Sequence, residues 1–111
     1  MRIRCKKTSH AGIKYDLTRG AEYEVLAIEA DDLRLMDDLG EPYLFPPALF
    51  TVIDSRRPAE WVGKHDDGVE YASAPELSGL GFFEDYFEGK RSAVRAFHRY
   101  VNRHLRLTRA A

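Results

Sequence analysis

Tyr23-Glu24-Val25-Leu26-Ala27-Ile28, the Asp31-Asp32 turn, Leu33-Arg34-Leu35, then Asp37-Asp38-Leu39-Gly40 and Tyr43-Leu44-Phe45 form the stretch on which the fold turns. Its β-branched and aromatic residues suit strands with one buried face. Each turn is short, so consecutive strands pair antiparallel, and Asp37 to Gly40 make the tight link of a hairpin. Pro46 and Pro47 stop the run, because proline supplies no ladder donor. A helical turn or edge crossing is expected over Pro46 to Phe50, before one more strand at Thr51-Val52-Ile53. Toward the N-terminus, Ile3 and Cys5 alternate with Arg2, Arg4 and Lys6, which predicts a first strand with its apolar side inward. Ser9-His10-Ala11-Gly12 read as a polar loop. Five short strands within residues 2 to 54 predict a small antiparallel barrel, a closed form that leaves no sheet edge.

Two motifs in this half resemble those of SH3-like barrels. Leu17-Thr18-Arg19-Gly20-Ala21-Glu22-Tyr23-Glu24-Val25 is similar to the L-x-x-G-x-x-Y-x-V entry of such barrels. Phe45-Pro46-Pro47-Ala48-Leu49-Phe50 resembles the single turn that precedes its last strand. The resemblance implies a fold and no activity, because such barrels host unrelated functions.

The second half has a different texture. Asp54 to Pro58 read as a polar link, Trp61-Val62 as an apolar anchor, Asp66-Asp67-Gly68 as a turn and Val69-Glu70-Tyr71 as a short strand leaning on the barrel. Gly79 to Gly89 enclose Phe82-Phe83-Glu84-Asp85-Tyr86-Phe87-Glu88, an aromatic helical turn. From about 91 to 106, Ala93, Val94, Phe97, Val101 and Leu105 keep the three-and-four spacing of an amphipathic helix, with Ser92 as its expected cap. The predicted class is therefore α+β: one domain over 1–111, with a barrel over 1–54 and an extension over 55–111 that ends in a helix.

Composition narrows the function. The chain has 111 residues, 44% hydrophobic and 32% charged, which is the profile of a folded domain. It contains no long apolar run, so no membrane partner is expected, and its single cysteine fits a reducing, cytoplasmic location. Cys5 lies between cations that favour a thiolate, but its place on an inward strand face favours plain packing. Net charge is −1, unevenly spread. Residues 1 to 89 hold 10 basic and 18 acidic side chains, whereas residues 90 to 111 hold 7 basic ones, including Arg106 and Arg109, and no acid.

Catalytic and metal chemistry find little support. His10, His65, His98 and His104 have no metal-ligand spacing, and Asp66-Asp67 beside His65 is ordinary turn composition. No nucleophile elbow or phosphate loop accompanies Cys5 and His10. Glu84, Asp85 and Glu88 read first as the solvated side of a helix whose aromatics face inward. No cofactor, metal or catalytic residue is expected.

Three stretches are also similar to those of small bacterial immunity proteins of polymorphic toxin and contact-dependent inhibition systems. They are Asp38-Leu39-Gly40-Glu41-Pro42-Tyr43-Leu44-Phe45-Pro46-Pro47-Ala48-Leu49-Phe50, Pro58-Ala59-Glu60-Trp61-Val62, and Gly81 to Phe87. The resemblance implies neutralisation of a cognate protein toxin by direct binding, by a monomer or weak dimer. Charge then assigns the partner contacts to Asp31, Asp32, Asp37, Asp38, Glu84, Asp85, Tyr86 and Glu88. The alternative is nucleic-acid binding through Arg91, Arg95, Arg99 and Arg103, which recur every fourth residue; an overall pI near 6.4 weighs against it.

Overall fold

The computed structural model describes the backbone of residues 1–110 and the side chains through His104. The chain is α+β, with antiparallel sheets and two helices, and divides into two compact units, Met1–Ala74 and Pro75–Ala111.

The first unit holds ten strands: β1 (Arg2–Cys5), β2 (Ser9–His10), β3 (Ile13–Lys14), β4 (Glu22–Glu24), β5 (Ala27–Glu29), β6 (Asp32–Met36), β7 (Pro42–Phe45), β8 (Phe50–Asp54), β9 (Val62–Asp66) and β10 (Val69–Ser73). They form three ladders, ordered β4-β1-β8, β7-β6-β5-β10-β9 and β2-β3, and these do not close into one barrel. The expected strand over Tyr23 to Ile28 is instead two strands, divided by the buried pair Val25-Leu26. Val25 N–H donates to Met1 C=O, whereas Leu26 N–H donates to Arg34 C=O, so this corner hands the chain from the first sheet to the second. Ile3 lies opposite Tyr23 and Val52; Ile28 lies opposite Leu33 and Ala72. The inward side chains of both sheets meet in a core of Ile3, Cys5, Leu17, Val25, Ile28, Leu33, Leu35, Phe45, Leu49 and Phe50. A 3-10 turn at Pro47–Leu49 precedes β8, where the prolines predict a turn.

Three hairpins close on two residues with positive φ: Ala11-Gly12 (50° and 81°), Ala30-Asp31 (52° and 68°) and Asp67-Gly68 (50° and 79°). Positive φ at both central positions matches the right-handed twist of the flanking strands. The segment read as a polar loop at Ser9 to Gly12 is therefore half of a small hairpin. The segment after Pro58 also departs from its reading. Trp61 packs against the core, but Val62 is exposed and opens a full hairpin that adds two strands to the second sheet beside β5. Asp31 locks that addition: its N–H donates to Glu70 C=O, and its Oδ1 accepts the Glu70 N–H at 2.9 Å.

In the second unit, a 3-10 turn at Pro75–Leu77 leads to α1 (Phe82–Phe87) and α2 (Arg91–Ala110). The second helix begins at Arg91, one residue before Ser92, and its first intrahelical bond runs from the Val94 N–H to the Lys90 carbonyl, so Ser92 lies inside the helix and not at its cap position. Ala93, Phe97 and Tyr100 are buried and Arg95 and Arg99 exposed, the amphipathic division that the spacing predicts. The side chains of Leu105, Arg106 and Arg109 lie outside the described residues.

Candidate functional site

Gly81 sets the direction of α1. Its φ is +71°, a conformation open to glycine, and a Cβ there would lie 2.9 Å from Glu84 Oε2. The Glu84 carboxylate therefore folds back over the glycine, in the first turn of the helix. The far end closes with a Schellman motif: Gly89 N–H donates to Tyr86 C=O and Lys90 N–H to Asp85 C=O, with Gly89 at φ +79°. Two residues later α2 begins, so the short helix is fixed at both ends against the long one.

The aromatic residues settle which side of α1 is left outside. Phe83 is buried, with its ring 5.8 Å from Phe97, and Tyr86 is half-buried, 4.9 Å from Phe97. Phe82 and Phe87 set their rings edge-on to Phe83 and Tyr86. This edge-to-face cluster leaves Phe87 43% exposed, with Glu84 and Glu88 exposed beside it. Leu80, just ahead of the helix, is 105% exposed. Leu80 precedes the Gly81 cap, and within the helix Glu84 stands one turn before Phe87, so the segment exposes two apolar side chains and, beside Phe87, the carboxylates of Glu84 and Glu88.

The expected contact residues divide by what already holds them. Asp85 faces Lys90 at 3.5 Å, and Tyr86 belongs to the ring cluster. In the first unit, Asp31 ends the β5–β6 turn and Asp32 begins β6, while Asp37 and Asp38 follow its end, about 15 Å or more away for a five-residue strand. Asp37 is only 7% exposed, and its Oδ1 accepts the N–H groups of Leu39 and Glu41 at 3.0 and 2.9 Å, organising the β6–β7 turn. Asp38 ties that turn to β4 and to the chain ahead of it: Oδ1 accepts from the Tyr23 hydroxyl at 2.6 Å and Oδ2 from the Thr18 hydroxyl at 2.7 Å. The Tyr23 oxygen in turn accepts the Thr18 N–H at 2.9 Å. Burial, and then the hydrogen bond to Asp38, hold the Tyr23 phenol above its ordinary pKa. Asp31 is exposed but bonded to Glu70, as above. That leaves Asp32, Glu84 and Glu88 as the exposed members of the set with neither an ion pair nor a side-chain hydrogen bond among the described residues.

The arginine row on α2 is exposed throughout. Arg103 pairs with Glu76 beside an open groove of about 550 Å³ that Arg99, Tyr100 and Asn102 also line. Arg91, Arg95 and Arg99 have no ion-pair partner among the described residues.

Cys5 is 1% exposed, and its thiol donates to Lys7 C=O at 3.2 Å. Desolvation pushes that thiol up, away from the thiolate that a nucleophile requires. Among the described residues no three His, Cys, Asp or Glu side chains cluster as metal ligands, and no helix is long and apolar enough to cross a membrane. Leu80 and Phe87 were not singled out as contacts by sequence. The glycines bracketing the segment were the available signal, but which aromatic turns outward depends on where Phe97 packs.

No protein-family profile, no curated protein and no solved structure matches the chain.

Proposed function

We propose that this chain is a non-catalytic protein-binding module that acts as a cytoplasmic immunity protein, neutralising a cognate bacterial toxin by direct contact. The observation that carries the reading is the Leu80–Glu88 segment, which exposes Leu80 and Phe87 together with the carboxylates of Glu84 and Glu88. Interfaces concentrate their binding energy in a few apolar or aromatic anchors, while rim charges set partner choice and association rate. A partner with a shallow apolar pocket inside a cationic surface fits this face. The likeness of Asp38–Phe50, Pro58–Val62 and Gly81–Phe87 to segments of immunity proteins supports the same reading, and the buried, protonated Cys5 supports a role without nucleophilic chemistry. The single cysteine suits a reducing compartment.

We further read the first unit as an opened relative of the SH3-like barrel. Its support is the bent β4–β5 run shared between two sheets and the 3-10 turn ahead of β8.

The test is affinity capture from nuclease-treated lysate with wild type, Leu80→Ser/Phe87→Ser and Glu84→Lys/Glu88→Lys. One protein retained at equal stoichiometry by the wild type and lost from both variants supports the site. A partner that both variants retain rejects the site, and no stoichiometric protein rejects the function.

A further inference from the structure

The second helix breaks local helix rules in one consistent direction. Arg91–Ala110 carries six arginines and no acid. Arg91 stands at the N-terminal end, where the helix dipole disfavours cations, and Arg91, Arg95, Arg99 and Arg103 repeat like charge every fourth residue. Of these four, Arg103 alone is neutralised by an ion pair among the described residues, with Glu76. An ordinary solvated face mixes both signs, which stabilises a helix instead of opposing it. Local rules broken without compensation mark functional positions.

Geometry gathers the exception on one side. At about 100° per residue, positions 91, 95, 98, 99 and 102 fall within a sector of roughly 100°, opposite the buried Phe97 and Tyr100. Successive arginines rise by about 6 Å along the axis. The helix contains no lysine, and guanidinium is the cation whose planar fork matches a phosphate.

We propose that the Arg91-Arg95-Arg99 face is a docking surface for the phosphate backbone of a nucleic acid, with His98 and Asn102 supplying further polar contacts. A straight row of one charge sign suits a partner whose own charges form a regular row; protein surfaces intersperse their signs. Glu76 in the neighbouring groove is paired with Arg103, so the backbone runs along Arg91, Arg95 and Arg99, the cations of the row that no ion pair holds among the described residues. This surface shares no residue with the Leu80–Glu88 face, so either proposal can fail alone.

Fluorescence anisotropy tests it, using labelled single-stranded RNA and duplex DNA of about 20 nucleotides, enough to span a helix of about 30 Å. Three phosphate contacts predict a log–log salt slope of about −2 to −3, hence a loss of affinity of about 20- to 40-fold between 50 and 200 mM salt. Arg91→Gln/Arg95→Gln/Arg99→Gln should abolish binding while keeping the helical circular dichroism, since glutamine is nearly as good a helix former as arginine. Lys6→Gln/Lys7→Gln/Arg19→Gln, on the first unit, should bind as the wild type does. Binding to either oligonucleotide in this pattern supports the proposal and identifies the strand form. It is overturned by absence of binding to both at 50 mM salt, by retention in the arginine variant, or by equal or tighter binding to polyglutamate or to phosphatidylserine vesicles.

Discussion

Replacing Asp38 with alanine should destabilise the first unit by about 1.5–3 kcal/mol. The side chain accepts two hydrogen bonds, from Tyr23 and Thr18, that join the β6–β7 turn to the segment entering β4. A hydrogen bond to a charged group contributes about 1.5–3 kcal/mol, and two would give about twice that if both were buried. Asp38 is exposed, so water replaces about half of what is lost, which leaves about 1.5–3 kcal/mol. With a urea m-value of about 1.5 kcal/mol/M, the midpoint should fall by about 1–2 M. Trp61, the sole tryptophan, packs against this core and reports its unfolding by fluorescence. Asp32→Ala, which removes an exposed carboxylate without an ion pair, should stay within about 0.5 kcal/mol. The Tyr23 titration supplies an independent reading. Its folded pKa is raised, so the stability it contributes is complete below the unfolded value of about 10 and is lost as pH climbs through the folded value. In Asp38→Ala the phenol should titrate lower, retaining the part of its shift that burial causes. An Asp38→Ala midpoint equal to that of Asp32→Ala, with an unmoved phenol, would refute the structural role assigned here.

Other perturbations probe separate elements. Arg34 is 7% exposed and donates to Glu29 through Nε and Nη2 and to Pro42 C=O at 2.7 Å, so Arg34→Ala should cost about 2–4 kcal/mol in urea unfolding; a loss below 1 kcal/mol would contradict this. Ala30 has φ 52° in a two-residue hairpin turn, and Ala30→Asn, better suited to that conformation, should raise stability by about 0.5–1 kcal/mol in the same assay. The Arg57 guanidinium holds the Glu70 carboxyl below its usual range, so this pair's contribution is present above about pH 4.5 and lost as pH falls through the lowered value. Urea midpoints between pH 6 and pH 3 should accordingly fall less in Glu70→Gln than in the wild type; parallel curves would reject the linkage.

Sequence carried most of the first unit wherever apolar and polar residues alternate along the chain. Ile3 and Cys5 on β1, and Leu33 and Leu35 on β6, declare their inward face by their alternation with arginine. It failed where pairing arises without alternation. All five residues of β9 are exposed, and its place comes from the Asp67-Gly68 turn and from Asp31 gripping Glu70, a contact 39 residues apart. The split at Val25-Leu26 was equally hidden, since both residues are apolar and buried while their N–H groups serve different sheets. For the candidate site, charge pointed to Glu84 and Glu88 but also to Asp37 and Asp38, whose carboxylates hold turns together. Charge gives a residue's identity and says nothing of the donors that the fold brings to it.

Growth under toxin expression tests the central claim most directly. The protein captured by the wild-type chain would be expressed alone, with this chain, or with its Leu80→Ser/Phe87→Ser variant. Immunity through the Leu80–Glu88 face predicts growth arrest alone, relief by the wild type and arrest again with the variant. Growth unaffected by the captured protein, or relief as complete with the variant as with the wild type, would contradict it.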